Sequence, residues 1–202
     1  MGSFDKKRDL ILEAAFKVFL AKGFNQAKMS LIIKAAGGGS LSTIYKRIGS
    51  KEKLFTAALE AKMADESLAF RKLCEDNENL DIREFLFVFG MRAFDYFMSD
   101  QSFSLVKIAH SDNGRLARII FNRGFMSIMN VLTDYIRRWQ NEGLLREGDP
   151  FVLSTRFFWL IKEPFNLKRL LGHKEQMTRE EKTAAMEDAI NFFLNGIGVA
   201  SR

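Results

Sequence analysis

Apolar residues recur along this chain at steps of three and four, the period of an α-helix, and nowhere with the period of two that marks a half-buried strand. In the first run Leu10, Ile11, Ala14, Ala15, Val18 and Phe19 mark one face while Lys17 and Lys22 point away, and Gly23 ends it. A shorter segment over 29–36 leads into Gly37, Gly38 and Gly39, after which Ser40 can open another short helix as its N-cap. Gly49 and Ser50 break the chain again, and Ser50 is placed to cap a helix that begins at Lys51.

One longer helix followed by two short ones across a glycine turn is the three-helix form of a helix-turn-helix unit. Beyond it the start signals are explicit. Asp81 with Glu84 and Thr178 with Glu181 have capping-box spacing, and Asp149 before Pro150 puts a cap ahead of a proline at the first helical position. The helix from Asp81 is expected to bury Ile82, Phe85, Leu86, Phe89 and Ala93. A long one after Gly114 carries Phe121, Phe125, Ile128, Leu132, Tyr135 and Trp139 at steps of four and three, and Asn141, Glu142 and Gly143 close it. The segment from Pro150 is apolar through Val152, Leu153, Phe157, Leu160 and Ile161, and Pro164 should break it at Glu163. The start signals predict about nine helices and an all-α fold. Residues 1–55 form the head and 56–202 a larger second domain, and the boundary falls inside a continuous helix.

Composition agrees with long helices, since only 2 Pro and 14 Gly stand among 202 residues. The apolar class is unusual: 20 Phe and 9 Met make a cavity for an apolar ligand worth considering, and fifteen of those Phe lie beyond residue 55. The single cysteine, Cys74, excludes an intramolecular disulfide and a Cys-based zinc site and suits a reducing compartment. Neither a signal-peptide core nor a run of ~18 uncharged apolar residues is present, so a cytoplasmic protein without a membrane partner is expected.

Charge sharpens the division. The net charge is +6, yet residues 1–55 hold eleven bases against four acids, so the head carries an excess of seven and the remaining 147 residues sum to −1. A basic head on a neutral body fits a polyanion-binding module, because lysines and arginines that neutralise phosphates release counterions.

Arg8, Ile11, Ala14, Ala15, Phe19, Gly23, Phe24, Ile32, Ala36, Gly37, Ser40, Thr43, Ile44 and Tyr45, followed by Ser50, Lys51, Glu52, Lys53, Leu54 and Phe55, resemble in order the N-terminal signature of TetR-family repressors. From Leu105 to Gly172, including Asn141, Gly143, Leu145, Arg146, Asp149 and Pro150, the chain is similar to the ligand-binding half of the AcrR- and AefR-like branch. The resemblance implies a nine-helix homodimer in which helices one to three bind double-stranded DNA and the remainder holds an inducer pocket and the dimer interface. Three departures stand out. Gly37 to Tyr45 spans nine residues where the family usually has eight, Lys28 stands where a Ser or Thr usually caps helix two, and Ile48 replaces the usual aromatic residue.

For the DNA site, Ser40, Leu41, Ser42 and Thr43 offer hydroxyls and an apolar contact for base edges and thymine methyls, while Lys28, Tyr45, Lys46 and Lys51 suit phosphates. For the effector site, polar or bulky residues within the apolar stripes are the candidates: Arg92, His110, Phe125, Met129 and Trp159. On the last helix Ala185, Ala189, Phe192 and Gly196 share a face that can admit another helix. Enzymatic chemistry gains no support. Two histidines, His110 and His173, stand without a partnering cysteine, a phosphate-binding glycine fingerprint or metal-ligand spacing, so no metal or cofactor is expected. The reading is therefore a ligand-responsive repressor, homodimeric on a near-palindromic operator and released by a small apolar or aromatic inducer. The alternative is an all-helical carrier or scaffold whose basic head binds without sequence preference.

Overall fold

The computed structural model describes residues 3–38, 48–111, 114–163, 165–173 and 177–197, and every regular element among them is helical. In order they are α1 (Ser3–Gln26), α2 (Met29–Ala35), α3 (Lys51–Asp76), α4 (Ile82–Phe97), α5 (Asp100–His110), α6 (Arg115–Ile120), α7 (Met126–Asn141), α8 (Pro150–Lys162), α9 (Phe165–Leu170) and α10 (Arg179–Ile197). A π-helical turn, Phe121–Phe125, joins α6 to α7. The chain makes two compact units, Met1–Ser67 with Asp100–Ser127 and Leu68–Ser99 with Ile128–Arg202, so α3 contributes its first part to one and its last part to the other.

In the first unit the buried face of α1 is Leu12, Ala15, Phe16 and Phe19, with Ala14 beside it. The stripe thus sits further round the helix than the periodicity from Leu10 predicts, and Leu10 is 55% exposed. Leu12 and Phe16 are the reason, because they lie one turn apart and in line with Phe19, and together these large side chains outweigh Leu10. At Gly23 the backbone leaves the helix (φ 73°, ψ 163°), a left-handed φ that favours glycine, and a final turn follows to Gln26. Met29 and Ile32 bury α2 against α1, and α5 also packs on α1 with Leu105 and Ile108 inward.

The second unit has a phenylalanine-rich core. Phe70, Phe89, Phe157 and Phe158 are almost fully buried with Leu86, Leu132 and Ile136, and Met186, Ile190 and Phe193 of α10 join them. As expected, α4 buries Phe85, Leu86, Phe89 and Ala93, while Ile82 is half-buried at its start. At Gly90 α4 lies close against α10 and α8, since a Cβ there would be 2.5 Å from the Met186 sulfur and 3.2 Å from Phe157 Cζ. Besides Leu10, two predicted core residues face outward, Phe121 of the first unit and Val152 of the second. Phe121 is 47% exposed because the π-helical turn inserts a residue and shifts the phase that links it to Ile128 and Leu132. Val152 is 40% exposed because the buried arc of α8 is Leu153, Ser154, Phe157, Phe158 and Ile161.

The caps form as their spacing predicts. Glu84 N donates to the Asp81 carboxylate at 2.9 Å, and Phe151 N and Val152 N donate to that of Asp149 at 2.8 and 3.1 Å. Thr178 and Glu181 make a reciprocal box, each backbone N–H donating to the other side chain. Gly143 (φ 72°) closes α7 with Leu144 N donating to Trp139 O at 2.9 Å. At Glu163 the backbone is extended (φ −95°, ψ 144°), as a residue before proline requires, and Pro164 itself lies outside the described residues.

Candidate functional site

The basic head is built on three phenylalanines from two helices, Phe24 lying in the turn of α1 beyond Gly23. Phe19 of α1 stacks with Phe24 at 5.7 Å, and Phe55 of α3 meets both edge-on, at 5.2 and 5.6 Å. That cluster fixes the start of α3, where Ser50 Oγ accepts from Lys53 N at 3.1 Å as the N-cap. Lys51 is thereby held in place: its ammonium donates to the carbonyl of Asn25 at 3.1 Å and lies 4.9 Å from the centre of the Phe24 ring. Burial pulls its pKa down from the ordinary lysine value. An ammonium has three donors, so two remain for an anion.

Lys28 occupies the N-cap position of α2 in extended backbone and makes no side-chain cap bond, so its exposed side chain is available to solvent or a phosphate. After α2, Gly37 and Gly38 both take left-handed φ, 84° and 93°, and Gly38 N donates to Ile33 O at 2.9 Å. Two consecutive left-handed positions use two of the three glycines and begin the lengthened turn. Ser40, Leu41, Ser42, Thr43, Tyr45 and Lys46 lie outside the described residues. Further along α3, Glu52 pairs with Arg115 of α6, and Glu60 pairs with Arg123 of the π-helical turn at 3.4 Å. That turn lies against α3 at Gly124, where a Cβ would make ordinary contact with Met63 and Leu59 at 3.5–3.6 Å.

The five effector candidates do not all fall in one unit. His110 and Phe125 belong to the first, and Arg92, Met129 and Trp159 to the second. His110 is exposed at the end of α5, not interior, with its Nδ1 2.7 Å from Val106 O. Phe125 is half-buried against the Phe121 ring at 5.8 Å. Arg92 lies with its guanidinium 4.8 Å from the Phe70 ring centre and 6.0 Å from that of Tyr96, and Met129 is fully buried. Trp159 is 52% exposed with the Lys162 ammonium 4.4 Å over its ring.

Two grooves open on the second unit. One, of about 510 Å³, lies between α8 and α10 and is lined by Arg146, Arg156, Trp159, Leu160, Glu163 and Phe192 among others. Of the small-residue face on α10, Ala189 is buried, whereas Phe192, 71% exposed, and Gly196 face outward. The other groove, of about 540 Å³, lies over Phe85, Tyr135 and Trp139 and is bordered by Leu80 and Leu144. Phe85 and Trp139 are buried as their stripes predict, and half-buried Tyr135 is the ring of the three that opens to this groove. The sign that it opens is the exposed apolar pair Leu80 and Leu144 in the loops beside them. Among the described residues no three His, Cys, Asp or Glu side chains converge as a metal site, and no helix is long and apolar enough to cross a membrane.

Comparison with known proteins fits this layout. Residues 11–58 match the model of bacterial regulatory proteins of the tetR family, and residues 84–196 match that of the AefR-like transcriptional repressor C-terminal domain. The HTH-type transcriptional repressor NicS of Pseudomonas putida KT2440 is 32% identical over 149 residues, 71% of this chain and 68% of that protein. A TetR-family transcriptional regulator from Mesorhizobium loti MAFF303099 superposes with a TM-score of 0.84 at 20% identity, over 98% of this chain and all of the other. The flavonoid-responsive regulator FrrA does so with 0.77 at 25% identity, again over 98% and 100%.

Proposed function

The chain belongs to the TetR family of DNA-binding transcriptional repressors, and from that premise we propose that it works as a homodimer on a near-palindromic operator and lets go when a small apolar or aromatic effector binds. As a member of that family it is a transcription factor and not an enzyme. One observation carries the reading: a basic helix-turn-helix head and an AefR-like repressor domain stand in a single chain. Within it, residues 1–55 are the DNA-binding domain and 56–202 the ligand-binding and dimerisation domain, and the protein acts in the cytoplasm.

Ser40, Leu41, Ser42 and Thr43 read bases, while Lys28, Tyr45, Lys46 and Lys51 hold phosphates. The anchored ammonium of Lys51 supports the second role, since a pre-positioned cation gives up little side-chain entropy on binding. For the dimer, exposed Trp159 and Phe192 on the neighbouring helices α8 and α10 support a second copy as the occupant of that face. For the effector, a phenylalanine-rich domain and the likeness to a flavonoid-responsive regulator support an aromatic class, with Arg92, Met129 and Trp159 as candidate contacts in the second unit. An effector acts only if it favours the DNA-incompetent state, and a typical coupling is ~1–3 kcal/mol.

Sequencing the genomic fragments retained by the purified protein and footprinting them tests this directly. The expected footprint is two half-sites related by a dyad, about one helical turn (~34–36 Å) or a multiple apart. A single asymmetric half-site bound by a monomer overturns the dimeric reading, and retention without sequence preference overturns the regulator.

A further inference from the structure

We propose that the groove over Phe85, Tyr135 and Trp139 binds one planar aromatic molecule carrying a carboxylate or comparable acceptor oxygen, with Arg83 facing that oxygen. The assignment rests on the aromatic effector class above and puts it in a groove lined by none of the contact candidates named there.

The floor is aromatic and set by two helices. Tyr135 and Trp139 lie one turn apart on α7, and Phe85 enters from the start of α4. The Phe85 ring centre is 4.5 Å from that of Tyr135 and 5.2 Å from that of Trp139, the second pair edge-on at 87°. The tilted rings of Tyr135 and Trp139 stand 6.0 Å apart. Phe85 and Trp139 are themselves buried and back the groove, so half-buried Tyr135 presents the ring surface on which a further ring can stack. At about 540 Å³ the groove has the size of a small-molecule site.

The polar groups point to an acceptor on the ligand. Neither the Tyr135 hydroxyl nor the Trp139 indole N–H has a hydrogen-bond partner among the described residues, although both residues line the groove. Burial raises the pKa of Tyr135 above the usual phenol value, so its hydroxyl stays a neutral donor at physiological pH. Glu78 also lines the groove, and its carboxylate acts on Arg138, so it adds to the negative charge on that side. Arg138 pairs with Glu142 at 2.8 Å, and the Asp81 carboxylate caps α4. The remaining guanidinium at the edge is that of exposed Arg83. Its planar fork matches a carboxylate.

The 202-residue chain carrying Trp159→Phe has Trp139 as its sole tryptophan, and titrating it with 2-naphthoate tests the assignment. The expected result is saturable fluorescence quenching at one molecule per chain. Arg83→Ala and Tyr135→Phe should each weaken it about tenfold, as loss of a hydrogen bond to a charged group implies, with circular dichroism unchanged. Cyclohexanecarboxylate, which keeps the anion and lacks the ring, should bind far more weakly. Naphthalene, which lacks the anion, should be indifferent to Arg83→Ala. Binding of 2-naphthoate that neither variant alters, or no quenching at all, overturns the site. Operator affinity, measured with Trp159 retained in the parent chain and in the two groove variants, separates the two readings. Groove binding that leaves DNA affinity unchanged keeps the site and removes its effector role. DNA release that both groove variants retain keeps the effector role and overturns the groove.

Discussion

Lys51 reaches back across the head to Asn25, donating from its ammonium to the backbone carbonyl at 3.1 Å while its charge lies 4.9 Å over Phe24. A cation at the first position of a helix opposes the helix dipole, so these two contacts are what hold it there. In the DNA-bound state a phosphate would supply the compensating charge. Lys51→Ala should therefore weaken binding to all sequences alike and reduce the slope of log K against log salt by about 0.9, one phosphate's worth. Loss of the ring contact should cost only ~0.5–1 kcal/mol of stability. Binding titrations at several salt concentrations, with a melting curve beside them, separate the two effects.

Reading should separate from positioning. Ser42→Ala and Thr43→Ala are expected to leave the salt slope unchanged and to reduce discrimination between operator and mismatched DNA, by ~1–3 kcal/mol where a base contact is lost. Unchanged discrimination in both would place the reading face elsewhere on the helix. The extra glycine gives a physical reason for such a shift, because one residue rotates a helical register by about 100°.

Cys74 offers a pH test of the second unit. Burial pushes its thiol up to about 12, from an ordinary 9.0. The folded state therefore holds the proton more tightly than the unfolded one. This contribution to stability is fully present below pH 9.0 and is lost as pH rises toward 12. Cys74→Ala should remove that component of the alkaline slope in denaturation curves. The native thiol should resist iodoacetamide at pH 8 and react once the chain is unfolded, because the thiolate is the nucleophile.

Much of the helical skeleton was legible because caps are local. Asp81, Asp149 and Thr178 announce helix starts within three residues of themselves, and the bonds that form are between those same residues. Core assignment was less secure where it depended on phase. Leu10 and Phe121 fit an apolar period, yet a competing stripe turns the first outward and a π-helical turn displaces the second. The groove over Tyr135 and Trp139 was illegible for a different reason. A ring that floors a groove and a ring that fills a core have the same spacing, and only the loops carrying Leu80 and Leu144 decide between them. His110 shows the reverse case, an apolar neighbourhood in sequence that becomes an exposed helix end in space.

Gly90 tests how tightly the second unit is packed. Gly90→Ala gains helix propensity of up to ~1 kcal/mol but places a methyl 2.5 Å from the Met186 sulfur, with Phe157 at 3.2 Å closing the other side. Met186 is 2% exposed, so its side chain has little room to turn away. Overpacking should outweigh propensity, leaving a net loss of ~1–3 kcal/mol. Chemical denaturation of the single variants and the Gly90→Ala, Met186→Ala double variant should show favourable coupling, since the shorter side chain makes room for the methyl.

The proposed dimer face gives the last test. Phe192 is 71% and Trp159 52% exposed, and they line one groove between helices that pack together, an apolar patch a second copy can cover. If a second copy covers them, Phe192→Glu buries a charge against its own symmetry mate, and two like charges near a dyad repel each other as well as losing solvation. The variant should be monomeric by analytical ultracentrifugation at concentrations where the parent is dimeric. Its fold should be intact by circular dichroism, since the substituted side chain touches no core. Operator affinity should fall at least a hundredfold, because a monomer reaches one half-site only, and a loss of about 2.7 kcal/mol corresponds to that factor. A variant that stays dimeric with full operator affinity would move the interface away from α8 and α10.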